Sequence, residues 1–298
     1  MSPVPESAPL IPLEELEEIA QGVDHPEGIC RTLDDTIYFG GEQGQLYRLE
    51  PDDTFTELLS TGGFMLGLAA DAAGLIYGCD PANGCVWRID PVALTKDVFC
   101  ATATGRGDLV TPNWGCFDAH GNYYLSDSGT WKAADGAVIV VRPDGEAAVW
   151  TEASRNFPNG LALSKDGRHL LVLESTPGAL VRYEISADGS AGPRELVIDM
   201  PGTVPDGVAP TTDGSLVIAC YRPDVVYRWR EDLGLQVLVN DPEGTAIAGP
   251  TNVVFCGPDL DTMIVPNIGR WHLTRFRHSD LVGAPLHYPT ATQLSKRP

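Results

Sequence analysis

Apolar residues along this chain fall into short runs of strand length separated by turn pairs. The pattern is clearest between residues 158 and 199. Leu161-Ala162-Leu163-Ser164 is one run, Asp166-Gly167 a tight turn, and His169 to Glu174 a second run. A Pro177-Gly178 turn leads into Leu180-Val181-Arg182-Tyr183-Glu184-Ile185, and Asp188-Gly189 turns the chain into Glu195 to Ile198. Strand-length apolar runs bounded by Gly, Pro and Asp predict four antiparallel strands joined by hairpins. Sister segments match. Asp34-Asp35, Ala73-Gly74, His120-Gly121, Asp213-Gly214 and Asp259 to Asp261 stand at the first turn, followed by Tyr38-Phe39, Ile76-Tyr77, Tyr123-Tyr124, Val217-Ile218 and Met263-Ile264 in the second strand. No stretch after residue 20 predicts a helix. In Leu13 to Ile19 the apolar residues recur every third position, which alone suggests a helical turn. The segments that precede the later repeats, Arg194 to Ile198 and Leu235 to Val239, are β-rich, so residues 13–20 are expected to be an outer strand.

Each four-strand unit is introduced by a recurring phrase. Pro26-Glu27-Gly28-Ile29 returns as Leu66-Gly67-Leu68, Pro112-Asn113-Trp114-Gly115, Pro158-Asn159-Gly160-Leu161, Pro205-Asp206-Gly207-Val208 and Pro250-Thr251-Asn252-Val253. The residues that hold the same phase in these phrases, Glu27, Leu66, Asn113, Asn159, Asp206 and Thr251, are separated by 39, 47, 46, 47 and 45 positions. A period in the forties with four strands per copy predicts an all-β, six-bladed β-propeller, four antiparallel strands per blade, its ring closed by the N-terminal strand so that no sheet edge is left open there. The expected organisation is a disordered lead-in over residues 1–12, a single propeller over 13–290 and a C-terminal tail over 291–298.

Composition narrows the function classes. The chain has 298 residues, 43% of them apolar, which fits one globular domain. A formal net charge of −21 opposes nucleic acid and anionic membranes as partners. No run of about 18 apolar residues occurs, and Met1 to Leu10 lacks a basic stretch followed by an apolar one, so a cytoplasmic protein is expected. The seven cysteines form no C-x-x-C pair and sit mostly in strand-like runs, the pattern of buried thiols; a Cys79–Cys85 bridge or a thiolate nucleophile is the other reading. Gly-x-Ser-x-Gly, Gly-x4-Gly-Lys-Ser/Thr and helix-opening Gly-x-Gly-x-x-Gly motifs are absent. Arg106-Gly107-Asp108 spells an adhesion tripeptide by chance.

Strand parity places the six phrase residues on one face of the ring, at the mouth of the central channel, together with Glu42, Asp80, Asp127-Ser128, Glu174-Ser175, Tyr221 and Asn267. Loops on one end of a rigid scaffold commonly carry function. Four phrase residues are oxygen donors suited to a hard cation: the carboxylates Glu27 and Asp206 and the carboxamides Asn113 and Asn159. Leu66 cannot ligate, and Thr251 is a weak donor. Ca2+ is the best match to such ligands, with Mg2+, Mn2+, Fe2+ or Zn2+ as alternatives; zinc is disfavoured because no His or Cys stands at a phrase position. Asp-Gly occurs six times in the chain and by default means a hairpin turn; Asp206 stands apart because it keeps the phase of the repeat.

In these phrases, His25-Pro26-Glu27-Gly28, Phe157-Pro158-Asn159-Gly160-Leu161 and Pro205-Asp206-Gly207-Val208, the chain resembles the gluconolactonase, senescence-marker-protein and luciferin-regenerating-enzyme family from about Leu16 to Arg277. The resemblance implies a six-bladed propeller with one functional divalent cation in its channel. It implies that Glu27, Asn159 and Asp206 are metal ligands, that Asn113 contacts metal or substrate, and that the activity is hydrolysis of a lactone. The family's sugar lactonases often carry an Arg two residues before the third-blade Asn and continue it as Asn-Asp-Gly. Here Thr111, Asn113, Trp114 and Gly115 stand at those places. Phe64, Met65, Trp114, Trp131, Tyr221 and Trp271 are expected on the same face, with Asp127 and His272 beside them, which suggests a substrate less polar than gluconolactone. Asp206 is the expected general base, with metal-activated water as the alternative and His25 and His272 as secondary candidates. The expected partner is a small-molecule lactone, the chain acting as a monomer or small homo-oligomer. Phosphotriester or other ester hydrolysis at the same cation, and a non-catalytic ligand- or protein-binding propeller, are the alternative functions.

Overall fold

The computed structural model describes residues 8–294. Six four-stranded antiparallel sheets form a ring, a six-bladed β-propeller. Blade 1 runs from Ile29–Arg31 through Ile37–Gly40 and Gln45–Leu49 to Phe55–Ser60; blade 2 spans Leu68–Ala70 to Thr95–Cys100; blade 3 spans Pro112–Phe117 to Ala147–Thr151. Blade 4 spans Pro158–Leu163 to Glu195–Asp199, and blade 5 spans Val204–Pro210 to Gly234–Asn240. In each the chain starts at the channel and works outward.

Blade 6 is built from both ends of the chain. Val254–Cys256, Thr262–Pro266 and Leu273–Arg277 supply its inner strands, and Glu17–Ile19 pairs antiparallel outside them, with Ile19 opposite Leu273. Arg275 fastens the join by reaching Glu17 Oε2 at 2.7 Å and Asp53 Oδ1 at 2.6 Å. The threefold apolar spacing of Leu13 to Ile19 resolves into a 3-10 turn, Leu13–Glu15, followed by the closing strand. The pairing partner, not local propensity, decides the strand.

Apolar side chains on the blade faces meet in six clusters, each shared by two neighbouring blades. Tyr77, Phe117 and Tyr123 join blades 2 and 3; Trp114, Tyr124, Val172 and Tyr183 join blades 3 and 4; Ile29, Phe39 and Ile264 join blades 6 and 1. At about 2 kcal/mol for each fully buried large side chain, these faces drive the blades together. The seven cysteines are free thiols, mostly buried in these faces, and Cys79 and Cys85 are not bridged. Burial pushes the Cys85 thiol up to about 11, which suits packing and opposes nucleophilic use.

The lead-in expected over residues 1–12 is corrected in part: residues 1–7 lie outside the described residues, but Leu10 and Ile11 donate backbone hydrogen bonds to Val237 and Leu238 of blade 5, and Ile11 is buried. Near the other end, residues 283–294 cross the face opposite the channel mouth. Gly283 and Ala284 bond to Leu260 and Pro210, the Tyr288 hydroxyl donates to the Arg31 carbonyl, and Gln293 reaches Ala119. A single helical turn, Ala291–Leu294, lies at the start of the expected tail; residues 295–298 lie outside the described residues. No helix among the described residues is long and apolar enough to cross a membrane.

Candidate metal centre

Two local devices bring the phrase residues to the channel. The first is the glycine that follows four of them. A Cβ on Gly67 would lie 2.6 Å from the Asn113 carbonyl, and one on Gly207 would lie 2.6 Å from that of Thr251; Gly28 and Gly160 stand against the Leu66 and Asp206 carbonyls in the same way. The missing side chain lets each inner strand close on the phrase residue of the next blade. The second device is a bulge. Pairing with the second strand slips between Pro112 and Trp114, between Pro158 and Leu161, and between Pro205 and Val208. Asn113, Asn159 and Asp206 each sit inside one, and a bulge re-aims the side chain it carries.

Glu27, Asn113, Asn159 and Asp206 are all buried, at 7%, 5%, 4% and 7% exposure. Their surroundings orient the two amides. Ser128 Oγ donates to the Pro158 carbonyl at 2.6 Å, which leaves it only as an acceptor for Asn113 Nδ2 at 3.0 Å. Ser175 repeats the arrangement: it donates to the Pro205 carbonyl at 2.8 Å and accepts from Asn159 Nδ2 at 3.4 Å. With both NH2 groups so engaged, Asn113 Oδ1 and Asn159 Oδ1 are left buried without a partner, as is Asp206 Oδ1. Orphaned buried oxygens are rare and need an explanation. Burial pushes the pKa of Glu27 and Asp206 up; the neighbouring Asp206 charge adds to the rise at Glu27, and Asn159 partly offsets it at Asp206. An oxygen-only donor set with two carboxylates in one buried place fits a hard divalent cation, which would occupy the orphaned oxygens and remove the repulsion. Thr251, the weak donor, is engaged elsewhere: its Oγ1 bonds to the Glu27 carbonyl.

The other residues expected at the site divide. Asp127 is fully buried and holds Arg106 Nε at 2.6 Å, the Thr111 amide at 2.6 Å and the Val110 amide at 3.1 Å, so its carboxylate positions the loop before Asn113. Asp80 does the same for blade 2 through the Phe64 amide at 3.1 Å, and Glu174 for blade 4 through Asn156 Nδ2 at 3.2 Å. Met65 is fully buried between blades 1 and 2, where a Cβ on Gly40 or Gly78 would meet it. His272 is also buried, with Nε2 3.1 Å from the Ala246 carbonyl. Phe64 is partly buried against the core between blades 2 and 3.

Trp131 and Trp271 are exposed, at 47% and 62%, in the loops that join second and third strands of blades 3 and 6. Trp131 packs edge-on to Phe157 at 4.8 Å, a rim aromatic that the sequence did not single out. Trp271 donates its indole N–H to His25 Nε2 at 2.9 Å, and His25 Nδ1 faces Asp24 at 3.0 Å and Glu42 at 3.2 Å. Tyr221 is half-buried beneath the Arg222 guanidinium. Trp114 points inward, donating its indole N–H to the Leu161 carbonyl at 3.0 Å. Ser128 and Ser175, not assigned a role from sequence, carried a readable signal: each follows an acidic residue at the end of the second strand in the two blades whose phrase residue is Asn.

The architecture has close counterparts. A gluconolactonase of Xanthomonas campestris superposes with a TM-score of 0.75 at 19% identity, covering 90% of this chain and 89% of that one. A luciferin-regenerating enzyme superposes with a TM-score of 0.74 at 17% identity, covering 91% and 99%, and the calcium-binding protein regucalcin of Agrobacterium tumefaciens with 0.72 at 15%, covering 91% and 96%. By sequence, a pentonolactonase of Haloferax volcanii is 27% identical over 152 residues, 47% of this chain and 48% of that protein; the mouse adipocyte plasma membrane-associated protein is 23% identical over 225 residues, 65% and 52%. The chain thus spans about half the length of these two relatives. Residues 26–268, from the first phrase to the last blade, match the model of the SMP-30/gluconolactonase/LRE-like region, and the chain belongs to that family.

Proposed function

We propose that this protein is a divalent-cation-dependent hydrolase that opens a lactone ring. The observation that carries the reading is the set of partnerless buried oxygens on Asn113, Asn159 and Asp206 beside the Glu27 carboxylate. These four residues would hold the cation, Ca2+ being the best match to an all-oxygen donor set. Bound there, a cation would supply polarisation of the ester carbonyl and stabilisation of the negative charge that develops on its oxygen. Asp206 takes the proton from the water that attacks the carbonyl carbon and returns it to the ring oxygen as the acyl C–O bond of the lactone breaks. Ser128 and Ser175 keep the two amide oxygens pointed at the site, so little reorganisation accompanies the reaction. Phe157, Trp131 and Trp271 offer the ring of an incoming substrate apolar edges, which favours a lactone less polar than gluconolactone.

The test is proton release from a panel of sugar, alkyl and aromatic lactones, with chelator-treated protein before and after each divalent cation is restored. Hydrolysis that appears on adding cation, stronger for compact lactones less polar than gluconolactone than for sugar lactones, is the expected result. A folded, cation-saturated protein that opens none of them overturns the proposal.

A further inference from the structure

Below the four ligand residues the channel continues as a cavity of about 300 Å³. Its wall comes from the inner strands of all six blades, through side chains such as Ile29, Leu68, Leu161, Val208 and Val253, and residues 284–288 cover its far end. Trp114 belongs to that wall at its upper end. Its backbone crowds the inner strand of blade 2, where a Cβ on Gly67 would lie 2.8 Å from Trp114 Cα. Its indole N–H is bonded to Leu161 in blade 4, and its Cη2 lies 2.8 Å from where a Cβ on Gly207 in blade 5 would stand. One side chain therefore reaches from blade 3 across blade 4 to blade 5, level with the residue that follows Asp206. Swinging it away would leave the indole N–H and the Leu161 carbonyl unpaired in an apolar setting, so it is held in place.

We infer that Trp114 is the floor of the cation-side site, separates that site from the apolar cavity below, and limits the enzyme to compact lactones without an alkyl tail. The inference rests on the lactonase reading above and adds the substrate dimension to it. Removing the indole joins the site to a ready-made apolar space. Each methylene of a tail that enters it then improves binding by about fourfold.

The test compares γ-butyrolactone, γ-octalactone and γ-decalactone on the wild-type protein, Trp114→Ala and Trp114→Phe. In parallel, uptake of the uncharged fluorophore N-phenyl-1-naphthylamine is followed on chelator-treated protein. The wild type and Trp114→Phe, which keeps a ring across the channel, are expected to prefer the short lactone and to leave the fluorophore dark. Trp114→Ala is expected to raise the decalactone-to-butyrolactone ratio of kcat/KM by more than about tenfold and to light the fluorophore. Trp114→Leu carries the same comparison should Trp114→Ala fail to fold. Fluorophore uptake by the truncated variant with no hydrolysis of any lactone by any form keeps the floor and removes the lactonase. Unchanged tail preference and no uptake, in a folded and active variant, overturns the floor and leaves the lactonase standing.

Discussion

Thr251 Oγ1 donates a 2.9 Å hydrogen bond to the main-chain carbonyl of Glu27, joining residues 224 positions apart where the last phrase strand meets the first. It is the closing member of a series in which the Ser128 and Ser175 hydroxyls bond to the Pro158 and Pro205 carbonyls of the next blade. The ring is therefore tied at the rim of the candidate metal centre itself. Thr251→Val keeps the shape and removes the bond, at an expected cost of about 1–2 kcal/mol. Thermal unfolding should show the loss, with a weaker response to added cation than in the wild type; an unchanged midpoint in both conditions would mean the tie is idle.

Asp206→Asn separates the centre's cost from its use. In the cation-free protein the substitution removes one of two buried carboxylates that oppose each other, so the variant is expected to be at least as stable as the wild type without cation. Saturating cation should stabilise the wild type and leave the variant nearly unmoved, because only binding to the folded state shifts the midpoint. Hydrolysis should be lost. Retained turnover in the variant would be refutation.

The pH dependence follows from the direction of the shifts. Folded and cation-free, Glu27 and Asp206 hold protons above the ordinary carboxylate range of about 4, where the unfolded chain has released them. Folded-state proton uptake exceeds that of the unfolded state, so stability of the chelator-treated protein should fall as pH rises from about 5 to about 8. Cation binding needs both carboxylates ionised, so affinity should rise with pH and binding should release protons. Titration calorimetry in buffers of different ionisation enthalpy measures that release; identical apparent enthalpies would contradict it.

Ser128→Ala and Ser175→Ala test whether the hydroxyls orient the amides. Each variant frees an Asn side chain to turn, and cation affinity should drop by about tenfold or more, as for other groups that orient metal ligands. Ser→Thr at either position should restore most of it. Equal affinity in wild type and Ala variants would show that the amides are held by packing alone.

Much of this protein is legible in its sequence because the information is local and repeated. Turn pairs such as Asp166-Gly167 and Asp213-Gly214 mark hairpins, and the period of the phrase at Glu27, Asn113, Asn159 and Asp206 gives the blade count, the channel position and the four buried oxygen donors. The phrase is readable because glycine is needed wherever one inner strand presses on the next. Other features depend on contacts between segments far apart. Leu10 and Ile11 are docked rather than free because blade 5 offers them an edge. Asp127 and His272 share the face of the channel mouth yet turn inward, since the loops around them supply better partners than the channel does. Trp114 looks like a rim aromatic in sequence and becomes a bar across the channel, since small residues at positions 67 and 207 leave room for it. Periodicity alone set the fold and the ring of donors. Which side chains face that ring, and how deep the site runs beneath it, was decided by the packing of six blades around one axis.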